Sequence, residues 1–222
     1  MIRIIIPARG GSKGITLKNL TKVGEYSLLE HTIADALSLG TNEIYVSTED
    51  KHIAHEARRF GVNIIDRPLE LCGDNSSSED AIKHVIKEMN IPDDDTIVFL
   101  QCTSPFRANK DLVNALKRFN YLSVDSLFSC YEMYPFLWNS EGRRAFYHYT
   151  NRPNRQNKDP VLVEDGSFYI SKAWCYTKED NRLSENVVPF AHDKIYGFEI
   201  DSDMDLVIAN TLYPLYKEKG WI

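Results

Sequence analysis

A basic, glycine-rich segment near the start of the chain has the composition of a phosphate-binding loop. Residues 9–14 read RGGSKG, and a further lysine, Lys18, follows four residues later. Glycines allow several backbone N–H groups to converge on one anion, and cationic side chains add charge to such a nest. The segment matches neither the GxxxxGK[ST] pattern of a P-loop nor GxGxxG. Because it carries two cations, we predict a role in binding phosphate rather than a purely structural turn.

An acidic cluster lies close to the other end of the chain. Residues 199–205 contain acidic residues and no basic one, whereas residues 1–24 contain basic residues and no acidic one. Asp201 and Asp203 follow a predicted strand and open a predicted helix, where two carboxylates can hold one Mg²⁺ or Mn²⁺ ion. The alternative is helix capping, because Ser202 and Asp205 resemble a capping box. If the two charged segments meet in the fold, they predict a site for a polyanion and its metal ion.

Other residues of chemical interest form weaker patterns. His52 and His55 are three apart on a predicted surface helix, without a further metal ligand nearby in sequence. Gly166-Ser167 lacks the GxSxG spacing of a nucleophile elbow. The four cysteines are scattered and form no CxxC pair, which predicts reduced, mostly buried thiols rather than a zinc site or a disulfide framework.

Alternating strand and helix patterns predict the scaffold that positions these residues. We expect strands over residues 3–7, 43–47, 62–65, 96–101, 167–170 and 196–200, and helices over residues 27–39, 50–60, 76–89, 109–119 and 203–216. This order predicts an α/β fold of three layers with a mainly parallel sheet. Ligands bind such sheets beyond the carboxyl ends of the strands, which is where residues 8–19, 66–78, 101–107 and 201–203 fall.

Composition narrows the class of protein. With 222 residues, of which 43% are apolar and 26% charged, the chain predicts one folded domain over residues 1–222. Its net charge of −6 argues against general binding of nucleic acid. The longest apolar runs are too short for a membrane span or a secretory signal, so we expect a cytoplasmic protein with no membrane partner.

Residues 131–163 break the alternating pattern. They are rich in Tyr, Asn, Arg and Pro, with a weak hairpin signal at residues 140–142. Their aromatic side chains are too numerous for a solvated loop, so we predict a projecting arm that buries them in a homodimer.

Four motifs, in order along the chain, resemble those of the acylneuraminate cytidylyltransferases, the CMP-sialic acid synthetases. They are IIPARGGSKGITLKN at residues 5–19, LQCTSPFR at 100–107, EDGSFYI at 164–170 and EIDSDMDL at 199–206. The resemblance implies a Rossmann-like nucleotidyltransferase that couples CTP to the anomeric hydroxyl of a nonulosonic, sialic-acid-like 2-keto acid sugar. The products would be a CMP-sugar, used in cell-surface polysaccharide biosynthesis, and pyrophosphate.

The resemblance also assigns site residues. It implies CTP contacts from the first motif and from the segment around the serine run: Arg9, Gly10, Gly11, Ser12, Lys13, Lys18, Asn19, Arg67 and Ser78. It implies sugar contacts from Gln101, Thr103, Ser104, Arg107 and Tyr169, with Arg155 lent by the partner's arm. Catalysis would depend on Arg9 and Lys13 and on magnesium or manganese held by Asp201 and Asp203.

Three positions depart from the family pattern. Family members usually have proline where Thr16 and Cys102 stand, and asparagine where Asp165 stands. We expect Asp165 to add a charge near the sugar pocket, which leaves pseudaminate and legionaminate open beside N-acetylneuraminate. Two alternative functions stay open. One is a 3-deoxy-manno-octulosonate cytidylyltransferase, whose middle motif has an acidic residue where this chain has Thr103-Ser104. The other is a non-catalytic nucleotide sensor.

Overall fold

A computed structural model describes residues 1–12, 14–73, 75–143 and 146–222 of the chain. In chain order the strands and helices are β1 (Ile2–Pro7), β2 (Lys22–Val23), β3 (Tyr26–Ser27), α1 (Leu28–Ser38), β4 (Ile44–Thr48), α2 (Lys51–Arg58), β5 (Asn63–Asp66), α3 (Ser78–Glu88), β6 (Thr96–Leu100), α4 (Asn109–Leu122), β7 (Ser126–Met133), β8 (Val161–Lys172), α5 (Ala173–Lys178), β9 (Val187–His192) and α6 (Asp203–Lys219). Short 3₁₀ turns connect several of them.

The predicted mainly parallel sheet is confirmed. Within the described residues, seven strands form one sheet in the order β5-β4-β1-β6-β8-β7-β9. Only β8 runs against its neighbours in this sheet, pairing antiparallel with both β6 and β7. The carboxyl ends of β1, β4, β5 and β6 therefore share one edge. Leu100, the last residue of β6, pairs with Phe168, so the residues just before Phe168 also lie at that edge.

Helices cover both faces of the sheet, which gives the three predicted layers. Along β1, Ile4 and Ile6 pack into one core cluster and Ile5 packs into the other, because successive side chains of a strand point to opposite faces. Both faces are therefore buried, which explains why β1 is apolar without alternation. Within the described residues no helix has the length and apolar character needed to cross a lipid bilayer.

Local signals fix the ends of the helices. The predicted capping box of α1 is present, with the Ser27 hydroxyl accepting from the Glu30 N–H and the Glu30 carboxylate accepting from the Ser27 N–H. Gly40 follows the end of this helix with a positive φ of 70°, as predicted for a C′ glycine. Such contacts lie within a few residues, which is why the sequence alone predicts them.

The structure corrects the predicted strands in the second half of the chain. The strand predicted at residues 196–200 is wrong, since a 3₁₀ turn, Lys194–Tyr196, stands there and β9 precedes it. Two strands, β7 and β9, escaped prediction. A register shift between Phe128 and Cys130 interrupts the alternation of β7, and β9 carries Pro189, which edge strands tolerate.

The segment between β7 and β8 is shorter than the arm predicted at residues 131–163. Its expected ends belong to the sheet, because Tyr131 pairs with Val163 and Met133 with Val161. Residues 134–160, which we call the arm, hold two 3₁₀ turns and a tight reversal in which the Gly142 N–H donates to the Asn139 carbonyl. The arm's aromatic rings pack partly on one another, yet Phe146 and Tyr149 remain 63% and 62% exposed.

Candidate active site

A cavity of about 420 Å³ opens at the carboxyl edge of the sheet, where the sequence places the candidate ligand-binding loops. Its wall is formed by the segments that follow β1, β5 and β6 and by the segment that precedes α6. The lining residues are Pro7, Arg9, Ser12, Gly14, Lys18, Asn19, Arg67, Leu71, Ser76, Ser77, Ser78, Phe99, Gln101, Cys102, Thr103, Glu199 and Asp201.

Two side chains hold the backbone of the glycine-rich loop in place. The Asn19 amide donates to the Arg9 carbonyl at 2.9 Å, and the Gly10 N–H donates to Glu49 Oε1 at 2.8 Å. Asn19 therefore stabilises the loop through the Arg9 carbonyl, and the Gly10 N–H already donates to a carboxylate of the protein. Gly11 is exposed and lies outside the cavity lining, and Lys13 lies outside the described residues.

The basic segment and the acidic cluster meet, as their sequence patterns suggest. Lys18 Nζ donates to the Ile200 carbonyl at 2.9 Å and to Asp201 Oδ1 at 3.0 Å. Gly14 lies so close that a Cβ there would stand 2.4 Å from the Asp201 carbonyl oxygen. Residues separated by 183 positions in sequence thus lie next to each other in the lining of one cavity.

The carboxylates of Asp201 and Asp203 are separate from the cap of α6. Ser202 and Asp205 form that capping box, and Asp205 also accepts from the Asp201 N–H at 3.1 Å. The side chain of Asp201 is 69% exposed at the cavity, and Asp203, the first residue of α6, is exposed beside it. Asp203 is not among the lining residues. Asp205 therefore caps the helix, whereas the carboxylates of Asp201 and Asp203 are exposed to solvent.

One wall of the cavity carries a buried arginine and a serine run. Arg67 follows β5 and donates from Nε to the Ser47 hydroxyl at 3.1 Å and from Nη2 to the Ser47 carbonyl at 2.7 Å. Burial lowers the pKa of this guanidinium. Ser77 caps α3, so Ser78 stands in the first turn of that helix, where both serines reach the cavity.

The opposite wall is formed by the segment after β6 and by Glu199. Gln101 and Thr103 line it, and the Thr103 hydroxyl donates to Glu199 Oε1 at 3.1 Å. Burial and the nearby charge of Asp201 raise the pKa of Glu199. Glu199 was visible in sequence as part of the acidic cluster but was not assigned to the site, because its contact with Thr103 is not local.

The arrangement of this cavity agrees with the family to which the sequence is related. A sequence model described as Cytidylyltransferase matches residues 3–209. The chain belongs to the cytidylyltransferase family.

Curated relatives in the cytidylyltransferase family carry similar names. The chain is 32% identical to N-acylneuraminate cytidylyltransferase A of Danio rerio over 217 residues, covering 94% of this chain and 50% of that protein. It is 26% identical to N-acylneuraminate cytidylyltransferase of Streptococcus agalactiae serotype III (strain NEM316) over 212 residues, covering 91% and 51%. The chain thus spans about half the length of the curated relatives that it matches.

Solved structures of nucleotidyltransferases share the fold. A CMP:2-keto-3-deoxy-manno-octonic acid synthetase complexed with CTP superposes with a TM-score of 0.68 at 18% identity, covering 96% of this chain and 98% of that chain. The 4-diphosphocytidyl-2C-methyl-D-erythritol synthase of Anaerococcus prevotii gives a TM-score of 0.65 at 12% identity, with the same coverage of each chain. These similarities establish the nucleotidyltransferase fold of the family.

Some sugar contacts implied by the family resemblance are not found in the cavity. The Arg107 guanidinium is fully buried, bonded to Asp35 at 2.6 Å and to the carbonyls of Gln101 and Ser167 at 2.8 Å each. Tyr169 is also buried, and its hydroxyl donates to Glu164. Both side chains are buried with these partners and neither lines the cavity, so their direct sugar contacts stay predictions.

Two further predicted sugar residues lie outside the cavity lining. Ser104 is 1% exposed, and its hydroxyl oxygen has no hydrogen-bond partner within the described residues. Arg155 lies on the arm with its guanidinium 5.8 Å from the centre of the Tyr134 ring. The structure of one chain brings neither residue to the cavity of that chain.

Asp165, which was predicted to add a charge near the sugar pocket, lies in the core beside the cavity and is not among the residues that line it. Its carboxylate is buried and is bonded by Ser129, by the Ser167 N–H and by His192. The charge is therefore matched inside the core rather than presented to a ligand.

The weaker metal candidates find no support in the described part of the chain. No group of three or more His, Cys, Asp or Glu side chains that could hold a metal ion occurs there. The His52 side chain is 79% exposed. All four cysteines are free thiols, three of them buried.

Proposed function

We propose that this chain is a nucleotidyltransferase that transfers CMP from CTP to the anomeric hydroxyl of a nonulosonic, sialic-acid-like 2-keto acid sugar. The observation that carries the proposal is the cavity in which Lys18 and the glycine-rich loop face Asp201. A triphosphate and its metal ion need both kinds of charge in one place. The names of the relatives, which match over more than nine-tenths of this chain, support the same reaction.

The nucleotide is assigned to the side of the cavity that carries Arg67 and Ser78. In the sheet order, β4 and β1 separate β5 from β6, so Arg67 and Gln101 stand roughly 14 Å apart along the edge, at about 4.8 Å per strand. The loop after β1 lies between them. CTP can therefore place its base and ribose near Arg67 and its phosphates near Arg9 and Lys18, with the sugar beyond.

The residues at the start of α6 fit a magnesium or manganese ion. Mg²⁺ is usually held by one or two carboxylates together with substrate phosphates and water, so the pair Asp201 and Asp203 suffices without a third protein ligand. The capping of α6 by Ser202 and Asp205 uses neither carboxylate, and Lys18 bonds only Oδ1 of Asp201 among the described side chains. When bound, such an ion neutralises charge on the phosphates and polarises the reacting oxygen.

Transfer of CMP to the sugar depends mainly on the positions of the two substrates and on neutralisation of the phosphate charge. The sugar's anomeric oxygen attacks the α-phosphorus of CTP, a new P–O bond forms, and the bond to the leaving pyrophosphate breaks. Lys18 and Arg9 are placed to stabilise charge on the phosphates, and we assign Lys13 the same role on the resemblance alone. Gln101 and Thr103 are placed to orient the sugar. We assign no general base.

The nucleotide and sugar requirements test this function directly. We expect pyrophosphate release with CTP and at least one of N-acetylneuraminate, legionaminate and pseudaminate, and no comparable turnover with ATP, GTP or UTP. Turnover should stop in EDTA and return with Mg²⁺ or Mn²⁺. Comparable turnover in EDTA, or preference for a purine triphosphate, would contradict the proposal.

The same panel separates the alternative functions. Selective turnover of 3-deoxy-manno-octulosonate would replace the nonulosonic assignment. Thr103-Ser104 in the middle motif argues against that alternative, because the octulosonate enzymes have an acidic residue there. Binding of CTP measured by calorimetry, without pyrophosphate release from any sugar, would favour a nucleotide sensor. We place the reaction in the cytoplasm, because scattered cysteines are typical of a reducing compartment. There it would activate a sugar for the synthesis of a cell-surface polysaccharide.

We further propose that the arm completes the site of a second copy of the chain. The exposed rings of Phe146 and Tyr149 support a buried role in a symmetric homodimer. Arg155 is then the cation that reaches the partner's cavity, with Arg152 as the second candidate.

Subunit mixing tests the shared site. When inactive Asp201→Ala and Arg155→Ala proteins exchange subunits, each mixed dimer regains one intact site if Arg155 acts across the interface. Random pairing then restores roughly a quarter of all sites, measured as pyrophosphate release. Arg143→Ala, on the same arm, is the matched control and should be active alone. No recovery despite proven exchange would place Arg155 in its own chain's site or in none.

A further inference from the structure

A buried hydrogen-bond cluster centred on Asp165 and His192 lies beside the cavity and is not part of its lining. The side chain of His192 is 1% exposed and that of Asp165 is 0% exposed. Oδ1 of Asp165 accepts from the Ser129 hydroxyl at 2.6 Å and from the Ser167 N–H at 3.0 Å, and Oδ2 is bonded to His192 Nε2. Both carboxylate oxygens are therefore fixed.

The bond from Ser167 to Asp165 closes a turn around Gly166. A carboxylate that accepts from the N–H two residues ahead forms an Asx turn. Gly166 has a φ of +69° within β8, a backbone conformation that side-chain-bearing residues rarely adopt. The turn is thus a local departure from regular strand structure, and the Asp165 carboxylate is the group that holds it.

The turn lies next to two side chains on the sugar side of the cavity. A Cβ at Gly166 would stand 3.2 Å from Gln101 Nε2 and 3.6 Å from Glu199 Oε1. Both side chains line the cavity, and Glu199 also accepts from Thr103. The two side chains therefore occupy the space that a larger residue at position 166 would need, and the Gln101 N–H donates to the carbonyl of Ser167, the next residue of the turn, at 3.4 Å.

His192 connects this turn to β9, the strand at the edge of the sheet, through its hydrogen bond to Asp165. It lies on β9 opposite Tyr131 of β7, so its bond to Asp165 reaches across β7 to β8. Its other ring nitrogen stands 3.9 Å from Asp111 Oδ2 on α4. Burial alone would raise the pKa of Asp165, but the hydrogen bond and charge of His192, with the bonds from Ser129 and Ser167, lower it. The carboxylate is thus held in its ionised, hydrogen-bond-accepting form.

We propose that Asp165 and His192 are positioning residues for the sugar substrate. They fix the turn at Gly166, and through it they fix the orientation of Gln101 and Glu199 toward the 2-keto acid sugar. This inference rests on the proposed function for the identity of the substrate. CTP binds on the other side of the cavity in that proposal, so its binding does not depend on the turn.

Paired variants distinguish positioning from general stability. In Asp165→Ala and His192→Ala the KM for the sugar should rise about tenfold, the size of one lost hydrogen bond, while the KM for CTP stays within about twofold. Asp165→Asn, which can still accept from the Ser167 N–H, and His192→Gln, which can still donate, should recover most of the sugar KM. All variants are assayed below their unfolding transitions, verified by circular dichroism.

Asp95→Asn is the matched control. Asp95 is a largely buried carboxylate paired with Arg3 at 3.0 Å, and it precedes β6 at the opposite edge of the sheet. Its substitution should lower the melting temperature without changing the sugar KM. An unchanged sugar KM in both alanine variants, an equal rise for both substrates, or the same pattern in Asp95→Asn would overturn the proposal.

A second measurement does not depend on activity. In ¹⁵N NMR spectra the side-chain amide resonances of Gln101, assigned by their loss in Gln101→Glu, should shift in Asp165→Ala and His192→Ala and stay in place in Asp95→Asn. Unmoved Gln101 resonances would refute the positioning role whatever the substrate. A wild-type protein that transfers CMP to no sugar would instead refute the proposed function, and the NMR result would still decide the role of the pair.

Discussion

Replacing Asp201 by alanine should lower turnover about 100-fold or more and leave the fold intact. The carboxylate lies at the cavity, 69% exposed, and its only protein bond from a side chain within the described residues comes from Lys18. Losing a metal ligand removes stabilisation of the charge that develops in the transition state, a loss of about 3 kcal/mol or more. The measurement is the rate of pyrophosphate release at saturating CTP, sugar and Mg²⁺. Asp203→Ala should behave in the same way.

Asp205→Ala is the control for this prediction because it removes a carboxylate from the same helical turn. Asp205 caps α6 through Ser202, so its loss should cost about 0.5–2 kcal/mol of stability and little activity. If instead Asp201→Ala and Asp203→Ala kept near-normal turnover, and only their melting temperatures fell, these carboxylates would serve the helix and not a metal ion.

Replacing Arg107 by methionine should destabilise the fold strongly. The guanidinium is fully buried and bonds Asp35, the Ser167 hydroxyl and the carbonyls of Gln101 and Ser167. Removing one partner of a buried ion pair leaves the other charge uncompensated and costs about 3–5 kcal/mol. Urea unfolding of the variant measures this loss. A variant of wild-type stability with a raised sugar KM would instead support a direct sugar contact by Arg107.

The pH dependence of stability gives an independent check on the same pair. Burial raises the pKa of Asp35 to about 6, although the charge and hydrogen bond of Arg107 act to lower it. Because this value lies above the ordinary value of 3.8, the folded chain binds the Asp35 proton more tightly than the unfolded chain does.

The tighter binding of the Asp35 proton in the folded chain adds to the free energy of unfolding. This contribution is fully present below pH 3.8 and is lost as the pH rises through about 6. Asp35→Asn cannot titrate, so the stability difference between wild type and this variant should shift in favour of wild type as the pH falls through this range. A difference that does not vary with pH between 3.8 and about 6 would contradict the raised pKa.

The sequence by itself determined the scaffold and the edge at which a ligand binds. The core strands before residue 101 and the capping boxes at Ser27 and Ser202 depend on residues within one or two turns, or on the apolar runs of buried strands. Once the order of strands and helices is known, the segments after β1, β5 and β6 must meet at the carboxyl edge. Opposite charges on the glycine-rich loop and the acidic cluster then suggested the pairing that Lys18 and Asp201 make.

Only the tertiary structure decided which polar residues of the motifs face that edge. Arg107 and Tyr169 belong to the recognised motifs, yet their partners, Asp35 and Glu164, draw them into buried hydrogen bonds. Asp165 is turned away from the cavity by His192, a residue on a strand that the sequence did not predict. A buried polar group must find a partner wherever the fold supplies one. Such partners lie tens of residues away in sequence, so residue type and spacing could not show on which side of the cavity wall these side chains lie.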